Sequence, residues 1–506
     1  MGQHSSPGAG PSGAVRSRLI RHIFIALLLD ILAFTTILPI LPRLLQAYQD
    51  DGGSPVLAWF IGSVNGFKAY LTGQPARAEA DTVLVGGLLG SLFSLLQFLV
   101  APAIGRLADR FGRRPVLLFC LAGNILASVV WLGSRRFEMF LVARVLAGLS
   151  EGNVQLSHAM IADITPPAGR SRGMAWVGIA FATGFTLGPP LGAYFASLDP
   201  TGPAGAQAWF GSAAPRMAPY PLAAVFTLVL LGLEFLYIYA YIPETIGLGD
   251  HTKADTTSAT VPASVTPSAT PSAETAAAID VATESRIRDL EYIHLLYLFA
   301  FSGMEFTLPF LTFEKFRFTH MQQGQFLGLI GILSTIFQGA VVRRVAHRWG
   351  EKTMVSLGML TCALGFVTIA FGAEPSAAVA AGHQSAGLPW GLYLAAVCLA
   401  ITSATVVNCM TALVSILCSG GNRVAGVDLD TAETDAAWNA RKGQVLGDFR
   451  SLGQLGRASG PVVACTIYWL KGSAFAYAVG SVYIAAVLMG FHFKIQQPQY
   501  AKPKTQ

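Results

Sequence analysis

Long apolar stretches recur along almost the whole chain, separated by short polar segments. A helix that crosses a bilayer needs about 20 mostly apolar residues, and lipid offers no partners for the unpaired backbone groups of an open sheet. The pattern therefore predicts an all-α polytopic membrane protein with twelve transmembrane helices. The predicted spans are 20–42, 83–103, 115–133, 138–161, 173–197, 221–242, 291–312, 324–342, 353–372, 389–415, 444–470 and 473–493.

The loops between these spans differ in their content of lysine and arginine. The basic residues are enriched in the tails and in every second loop, and such segments stay in the cytosol. We therefore expect both termini to be cytosolic. On the opposite side, residues 43–82 carry apolar side chains at helical spacing, which predicts a short amphipathic helix that lies on the membrane or caps the protein. These side chains are Val56, Trp59, Phe60, Val64, Phe67 and Leu71.

The composition supports a membrane protein and excludes several other classes. Of the 506 residues, 53% are hydrophobic and only 12% are charged, whereas soluble domains carry about a quarter charged residues. The net charge of +6 is not gathered in one block, so nucleic acid is not an expected partner. The six cysteines show no paired spacing, so neither a disulfide framework nor a metal site is predicted. No phosphate-binding or hydrolase motif occurs, and we expect no enzyme, no cofactor and no ATP-driven transport.

A segment rich in Thr, Ala, Ser and Pro divides the spans into six and six. We expect this segment to make 243–290 a disordered cytosolic linker. The two six-helix bundles then cover 20–242 and 291–493, with cytosolic tails at 1–19 and 494–506.

The two bundles repeat each other's motifs. GRLADRFGRR at 105–114 follows the second span, and RRVAHRWGEK at 343–352 follows the eighth. The fifth span contains GFTLGP at 184–189, and the eleventh contains GRASGP at 456–461. Each pair lies six spans apart, as in transporters built from two pseudo-symmetric halves with a site between them near the midplane.

The loop after the second span has a specific chemistry. Gly105 and Gly112 permit tight turns because glycine has no Cβ. Asp109 supplies a carboxylate after the end of the span. Donors for this carboxylate, for helix carbonyls or for lipid phosphates are Arg110, Arg113 and Arg114. The alternative is a plain basic cytosolic loop.

Charged side chains also occur inside the predicted spans, where they are costly and by default indicate function. The acids are Asp30, Glu151, Glu234 and Glu305, and the cations are Arg144, Arg450 and Arg457. Buried carboxylates are suited to binding and releasing protons. Arg450 and Arg457 share one helix face, so one of them could bind an anionic substrate, although Arg450 could instead extend to the membrane surface. For Asp30 and Glu305 the alternative is a static ion pair, and Glu151 and Glu234 could each face only a neighbouring helix.

The 105–114 motif resembles the cytosolic signature of the major facilitator superfamily. In that family the loop locks the cytosolic side against the eleventh helix when the protein opens outward. Arg144, Gly148 and Gly152 resemble the superfamily motif in which an arginine of the fourth helix assists proton coupling. The alternative is a structural arginine bonded to backbone carbonyls.

The fifth span resembles the GxxxGPxxG motif of exporters in the same superfamily, although Ala193 stands where glycine is usual. In the family this motif kinks and thins the helix at the interface between the halves. The matching residues are Gly184, Gly188, Pro189 and Gly192. The alternative is generic close packing of helices.

Three further segments resemble drug and tetracycline/proton antiporters, and in particular the eukaryotic tetracycline-transporter-like branch. They are LLLDILAFTTILPILPRL in the first span, 303–331 and 447–472. The resemblance implies export of organic anions and drugs. It also implies that the first and seventh helices line the central cavity, which favours Asp30 and Glu305 as the proton-exchanging residues. Two departures are His347, which replaces the acid in the second copy of the loop, and Glu151, where a neutral or basic residue is expected.

We therefore predict a secondary transporter that couples proton flow to the export of amphipathic organic anions or drugs by alternating access. Asp30 and Glu305 exchange protons, assisted by Arg144. The predicted substrate contacts are Arg457, Arg450, Glu234 and Phe34. The expected partners are a small-molecule substrate, protons and membrane lipid. We expect a monomer in the plasma membrane, with an endomembrane as the alternative. The rival hypothesis is a receptor or scaffold with a transporter fold that moves nothing.

Overall fold

The computed structural model describes residues 13–37, 40–50, 54–72, 81–166, 170–198, 218–246, 248, 273–316, 320–372, 390–418 and 441–495. Every regular element in these residues is a helix. The elements are α1 (Gly13–Thr35), α2 (Leu41–Asp50), α3 (Pro55–Thr72), α4 (Asp81–Phe111), α5 (Arg113–Leu132), α6 (Phe137–Ser150), α7 (Asn153–Ile164), α8 (Arg170–Ser197), α9 (Pro221–Tyr241), α10 (Ala273–Phe316), α11 (His320–Ile336), a π-helical turn (Phe337–Val342), α12 (Arg343–Trp349), α13 (Glu351–Gly372), α14 (Trp390–Leu417), α15 (Lys442–Lys471) and α16 (Ser473–Lys494).

Two predicted spans are interrupted. The fourth was expected to be continuous over 138–161, but α6 ends at Ser150 and α7 begins at Asn153. Glu151 between them has an extended backbone, with φ −78° and ψ 90°. The apolar pattern runs through this position, so hydropathy gives no sign of the break. The eighth span changes to a π-helical turn over Phe337–Val342, a distortion that is frequent at functional sites.

The boundary of the second bundle differs from the prediction. Helix α10 begins at Ala273, inside the segment 243–290 that we expected to be disordered. It continues without a break into the seventh span, and Ile287 and Leu290 are buried in the core of the C-terminal half. The disorder prediction is therefore wrong for 273–290. Most of the remaining linker lies outside the described residues.

The segment between the first and second spans forms the helices α2 and α3. Leu57 of α3 is buried in a cluster with Trp131 and Phe137, at one end of the N-terminal half. The Tyr48 hydroxyl of α2 donates to the carbonyl of Ser134 at 2.9 Å. The predicted helix is thus present and caps this half, while Trp59 remains exposed. The side chains of Val64, Phe67 and Leu71 lie outside the described residues.

The sequence repeat corresponds to a structural repeat. Gly112 and Gly350 both turn the chain between two helices with positive φ, 103° and 81°, a conformation that glycine adopts without a Cβ clash. Two residues after each turn, Arg114 and Lys352 donate to backbone carbonyls near the ends of α9 and α16, at 2.6 and 2.9 Å. Each half therefore joins its third transmembrane span to its last transmembrane span in the same way.

Eight helices among the described residues are long and apolar enough to cross a membrane by length and composition alone. The predicted spans outside this set are the first, fourth, seventh and eleventh, formed by α1, by α6 and α7, by α10 and by α15. These four spans carry most of the charged residues that we singled out, including Asp30, Arg144, Glu305 and Arg450. The charges that lower the hydropathy of a span thus also mark the candidate site.

Candidate functional site

The two six-helix halves meet along a surface that we call the seam. At one end of it, the Asp109 carboxylate of α4 accepts the backbone N–H groups of Gly443 at 2.9 Å and Gln444 at 2.7 Å. These amides begin α15, where unpaired N–H groups and the helix dipole favour an anion. The predicted contact between this loop and the eleventh helix is therefore present. We call this end of the molecule the lock end.

Gly105 has a different role from the one predicted. It lies within α4, which continues to Phe111, and so it forms no turn. A Cβ at Gly105 would collide with the carbonyl oxygen of Gly443 across the seam. The absence of a side chain lets the backbones of α4 and α15 approach closely. Only Gly112 occupies a tight turn, as expected.

A chain of charges extends from Asp109 across the lock end. Arg113 is buried and donates to Asp109 at 2.6 Å and to Asp163 of α7 at 3.1 Å. Asp163 also pairs with Lys442 of α15 at 3.4 Å. Burial lowers the pKa of Lys442, and the Asp163 carboxylate opposes this effect. The four groups together hold α4, α5 and α7 against the start of α15.

The other two arginines of the loop do not contact Asp109. The Arg114 guanidinium donates to the Tyr239 carbonyl and lies 5.4 Å from the centre of the Tyr239 ring. Arg110 is exposed and lies over the Phe111 ring at 5.3 Å. Of the roles left open for these donors, Arg113 therefore serves the carboxylate and Arg114 a helix carbonyl.

Sequence reasoning missed Glu244, which follows α9. One carboxylate oxygen accepts the backbone N–H groups of Arg113 at 3.0 Å, Thr245 at 2.9 Å and Ile246 at 3.1 Å. The other accepts the N–H of Arg114 at 3.1 Å. Glu244 thus caps α5 and fixes the backbone from which Arg113 reaches Asp109. An acid after the last span of a half looks like an ordinary loop residue, so only the fold reveals this role.

A second group of polar residues lies deeper, inside the N-terminal half. Asp30 of α1 is buried and accepts the side-chain amide of Asn153 at 2.7 Å. Glu151, also buried, lies at the break between α6 and α7. The Arg144 guanidinium lies 4.8 Å from the centre of the Phe93 ring. Within the described part of the chain, Arg144 forms no salt bridge, so the static ion pair is not observed for it.

These residues border a cavity of about 60 Å³. Its lining includes Asp30, Phe34, Arg144 and Glu151. Phe34 stacks on Phe93 with ring centres 5.5 Å apart. The cavity therefore combines an aromatic wall with charges of both signs. The role of Phe34 as a substrate contact stays a prediction.

The cations of α15 occupy two different environments. Arg457 donates to Glu305 of α10 at 3.2 Å, and the two side chains are 36% and 53% exposed. Glu305 is therefore exposed, whereas we had expected a buried carboxylate. The Nε atom of Arg450 is buried, and its strongest electrostatic neighbour is Glu151. Extension of Arg450 to the membrane surface is thus excluded.

Glu234 lies inside the N-terminal half. It is buried in α9, a helix that packs against α1, α5 and α8 of its own half. Its Oε2 atom has no hydrogen-bond partner among the described residues. The role of Glu234 as a substrate contact stays a prediction.

The glycines of α8 also face a different neighbour from the one expected. A Cβ at Gly184 or Gly188 would collide with Ile31 or Thr35 of α1. Gly192 approaches the backbone of Thr36, directly after α1, and Pro189 lies inside α8. The glycine face of this motif therefore packs against the first span within one half. Other residues of α8 contact the C-terminal half, where Thr186 lies against Gly331, so the helix itself lies at the interface between the halves.

The C-terminal half repeats this packing. Gly456 and Gly460 of α15 approach the backbone of α10 next to Leu295 and Phe299. Helix α15 thus packs on α10 as α8 packs on α1. Small residues let paired helices approach closely in both halves.

Two similar halves, helices long enough to span a membrane, and a polar interior closed at one end together are typical of a membrane transporter. The chain belongs to the major facilitator superfamily, whose family model matches residues 23–427. Members of this family are transporters and not enzymes. The predicted fold class is thereby confirmed.

The chain is similar to human major facilitator superfamily domain-containing protein 10, with 37% identity over 476 residues that cover 92% of this chain and 90% of the relative. A crystal structure of that protein, described as the human organic anion transporter MFSD10 (TETRAN), matches with a TM-score of 0.72 and 33% identity over 94% of this chain and 99% of the other. Class B tetracycline resistance protein of Escherichia coli is 26% identical over 69% of this chain and 71% of its own length. These matches confirm the predicted resemblance to the tetracycline-transporter-like branch.

Proposed function

We propose that this protein exports amphipathic organic anions in exchange for protons. The observation that carries the proposal is the set of buried charges near the seam that are not tied into ion pairs. Asp30, Glu151 and Arg144 form no salt bridge within the described residues. Their charges stay available to a proton or an anion, whereas in a static scaffold such groups would be costly to retain.

The relatives support the substrate class. The human relative is described as an organic anion transporter, and another relative confers tetracycline resistance. The aromatic wall of Phe34 and Phe93 next to the Arg144 guanidinium is suited to a flat anion. Such a molecule could stack on the rings while its acidic group faces the cation.

The mechanism follows from the closed lock end and the solvated Glu305–Arg457 pair. With the lock end in the cytosol, as the loop charges favour, this conformation is open to the outside. Protons from outside then reach Glu305 and Asp30 as the anion leaves, because protonation and substrate binding compete through the charges of the site. The two halves next rock about the site, Asp109 leaves the start of α15, and protons and substrate exchange with the cytosol. We place the protein in the plasma membrane.

The test is proton-gradient-dependent flux of fluorescent and radiolabelled organic anions in proteoliposomes. Wild type is compared with Asp30→Asn and with Glu284→Gln, which changes an exposed acid on α10 and serves as the control. We expect flux in wild type and in the control, and its loss in Asp30→Asn. Flux retained in Asp30→Asn would move coupling to Glu305 or remove protons from the mechanism. No flux with any compound would favour the scaffold hypothesis.

A further inference from the structure

We propose that Arg450, His158 and His294 form an anion-binding site that is closed in this conformation and opens toward the lock end. It would take the carboxylate or sulfonate group of an organic anion as that molecule enters from the lock side. This inference deepens the proposed function and rests on it. Neither histidine stood out in the sequence, because both lie in apolar helical stretches.

The three residues come from both halves. His158 lies on α7 of the N-terminal half, while His294 and Arg450 lie on α10 and α15 of the C-terminal half. Helices α7 and α15 contact each other across the seam, where Gln155 lies close to Gly447. Gln155 lies about one turn from His158 on α7, and Gly447 lies about one turn from Arg450 on α15. The site therefore lies in the seam, one layer deeper than the Asp109 lock.

Each of the three side chains has a buried polar atom without a hydrogen bond to the described residues. These atoms are Nε2 of His158, Nδ1 of His294 and Nε of Arg450. A buried polar atom without a partner is costly, and each instance requires an explanation. Three of them on a surface that must separate during transport are explained if a ligand meets them in the open state.

The contacts of the two imidazole rings determine which nitrogen of His158 carries a proton and how the His294 ring is oriented. Nδ1 of His158 lies 2.9 Å from the carbonyl oxygen of Val154. Since a carbonyl only accepts, this nitrogen carries the proton, and Nε2 is free to take another. His294 is held by stacking on Phe449, with ring centres 4.2 Å apart and an interplanar angle of 14°. Both rings are thus positioned, and each gains a positive charge when it binds a proton.

The charge balance of the site favours an anion. Arg450 carries a permanent positive charge, and Arg457 adds a second cation near His294. The acids that act on Arg450 are Glu151 and Asp30 of the N-terminal half. An incoming anion competes with these carboxylates for Arg450. This competition ties anion entry to the proton sites.

The test measures the charge preference of the opened seam and needs no transported substrate. Gln155→Cys places a thiol one turn from His158 in the full-length chain, reconstituted in nanodiscs. Its labelling rate is measured with a negatively charged sulfonatoethyl and a positively charged trimethylammonium-ethyl methanethiosulfonate. The same two rates at Glu284→Cys, an exposed position on α10, give the reference ratio. The parent chain, whose described cysteines are all buried, gives the background.

We expect the ratio of anionic to cationic labelling at Gln155→Cys to exceed the reference by about tenfold, because a pocket lined by cations concentrates anions. Arg450→Gln should bring the ratio back to the reference, while Arg450→Lys should preserve most of it. His158→Gln combined with His294→Gln should lower the ratio by less than Arg450→Gln does, because neither imidazole carries a permanent charge.

A ratio equal to the reference, or one that Arg450→Gln leaves unchanged, would overturn the site. Absence of labelling at Gln155→Cys would also overturn it, because the seam would then not open at this depth. If the ratio behaves as expected but no anion is transported, the site stands and the proposed function fails. The two failures are therefore distinguishable.

Discussion

The carboxylate of Asp109 accepts the backbone N–H of Gly443 at 2.9 Å and so joins the N-terminal half to the first turn of α15. The partner is a backbone amide at a helix start, and a Cβ at Gly443 would collide with the Asp109 carboxylate and the Arg113 guanidinium. The bond therefore depends on Asp109 and on how closely α4 and α15 approach.

Replacing Asp109 should shift the protein toward the state that is open at the lock end. Asp109→Ala removes two charge-assisted hydrogen bonds to the start of α15, each with a net contribution of about 1.5–3 kcal/mol. We expect labelling of Gln155→Cys by neutral N-ethylmaleimide to accelerate at least about tenfold. Asp289→Ala, which breaks an exposed pair with Lys494, should leave the rate unchanged. An equal rate in Asp109→Ala and wild type would mean that this contact does not hold the seam closed.

A side chain at Gly105 should keep the seam from closing. A valine there would meet the Gly443 carbonyl and the Gln155 side chain, and a backbone atom cannot move aside locally. We expect Gly105→Val to label rapidly at Gln155→Cys and to lose transport. Gly90→Val on the same helix is the matched control, because nothing lies within 4 Å of a Cβ at Gly90. If the seam closes normally in Gly105→Val, α4 and α15 can accommodate a side chain at this position, and their close approach is not required for closure.

Gly112→Ala should destabilise the folded protein. The positive φ of 103° disfavours any residue with a Cβ, and the added atom would also meet the Glu244 carboxylate. We expect a loss of about 1–3 kcal/mol, the usual cost of such a conformation, seen as a lower midpoint of thermal unfolding in detergent. Gly328→Ala, a helical position with no neighbour within 4 Å, should stay at or slightly above the wild-type midpoint. A wild-type midpoint for Gly112→Ala would mean that this turn relaxes freely.

Glu244 should matter as much as the motif residues that it supports. Glu244→Ala leaves the first N–H groups of α5 without their carboxylate and releases the backbone of Arg113. We expect faster N-ethylmaleimide labelling at Gln155→Cys, at least half as large an effect as that of Asp109→Ala. Glu244→Gln keeps one accepting oxygen and should lie in between. If Glu244→Ala lowers thermal stability but leaves labelling unchanged, the residue is only a helix cap.

Glu305 should affect transport far more than stability. Its pair with Arg457 is solvated, and exposed ion pairs contribute only about 0–1 kcal/mol. We expect Glu305→Gln to keep the wild-type unfolding midpoint, while its anion flux loses the wild-type response to an imposed pH gradient. A lowered midpoint with an unaltered pH response would instead identify a static structural pair.

The sequence motifs predicted the contacts whose partners follow from the resemblance to the superfamily and from the internal repeat. The Asp109 contact with α15 and the pairing of the two halves belong to this group, because residue type and position within the repeat determine them. The turn at Gly112 could be predicted for the same reason. Length and hydropathy alone identify eight helices in the described part of the chain that could cross a membrane, and the other four predicted spans contain most of the charged candidate residues.

Features that depend on three-dimensional neighbours escaped the sequence. The sequence gives no direction to a glycine face, so the packing of Gly184 on α1 could not be distinguished from a contact across the seam. Solvation of Glu305 depends on which end of the seam is open. Glu244 acts on backbone amides that are distant along the chain. The pairing of His158 and His294 around Arg450 arises only when α7 meets α15.

The most direct test of proton-coupled exchange follows the pH inside proteoliposomes loaded with a pH-sensitive dye and with an anion that the flux assay identifies. Dilution into anion-free buffer creates an outward anion gradient. The account predicts that the lumen acidifies as the anion leaves, and that Asp30→Asn abolishes this acidification. Anion efflux without any change of internal pH would contradict proton exchange.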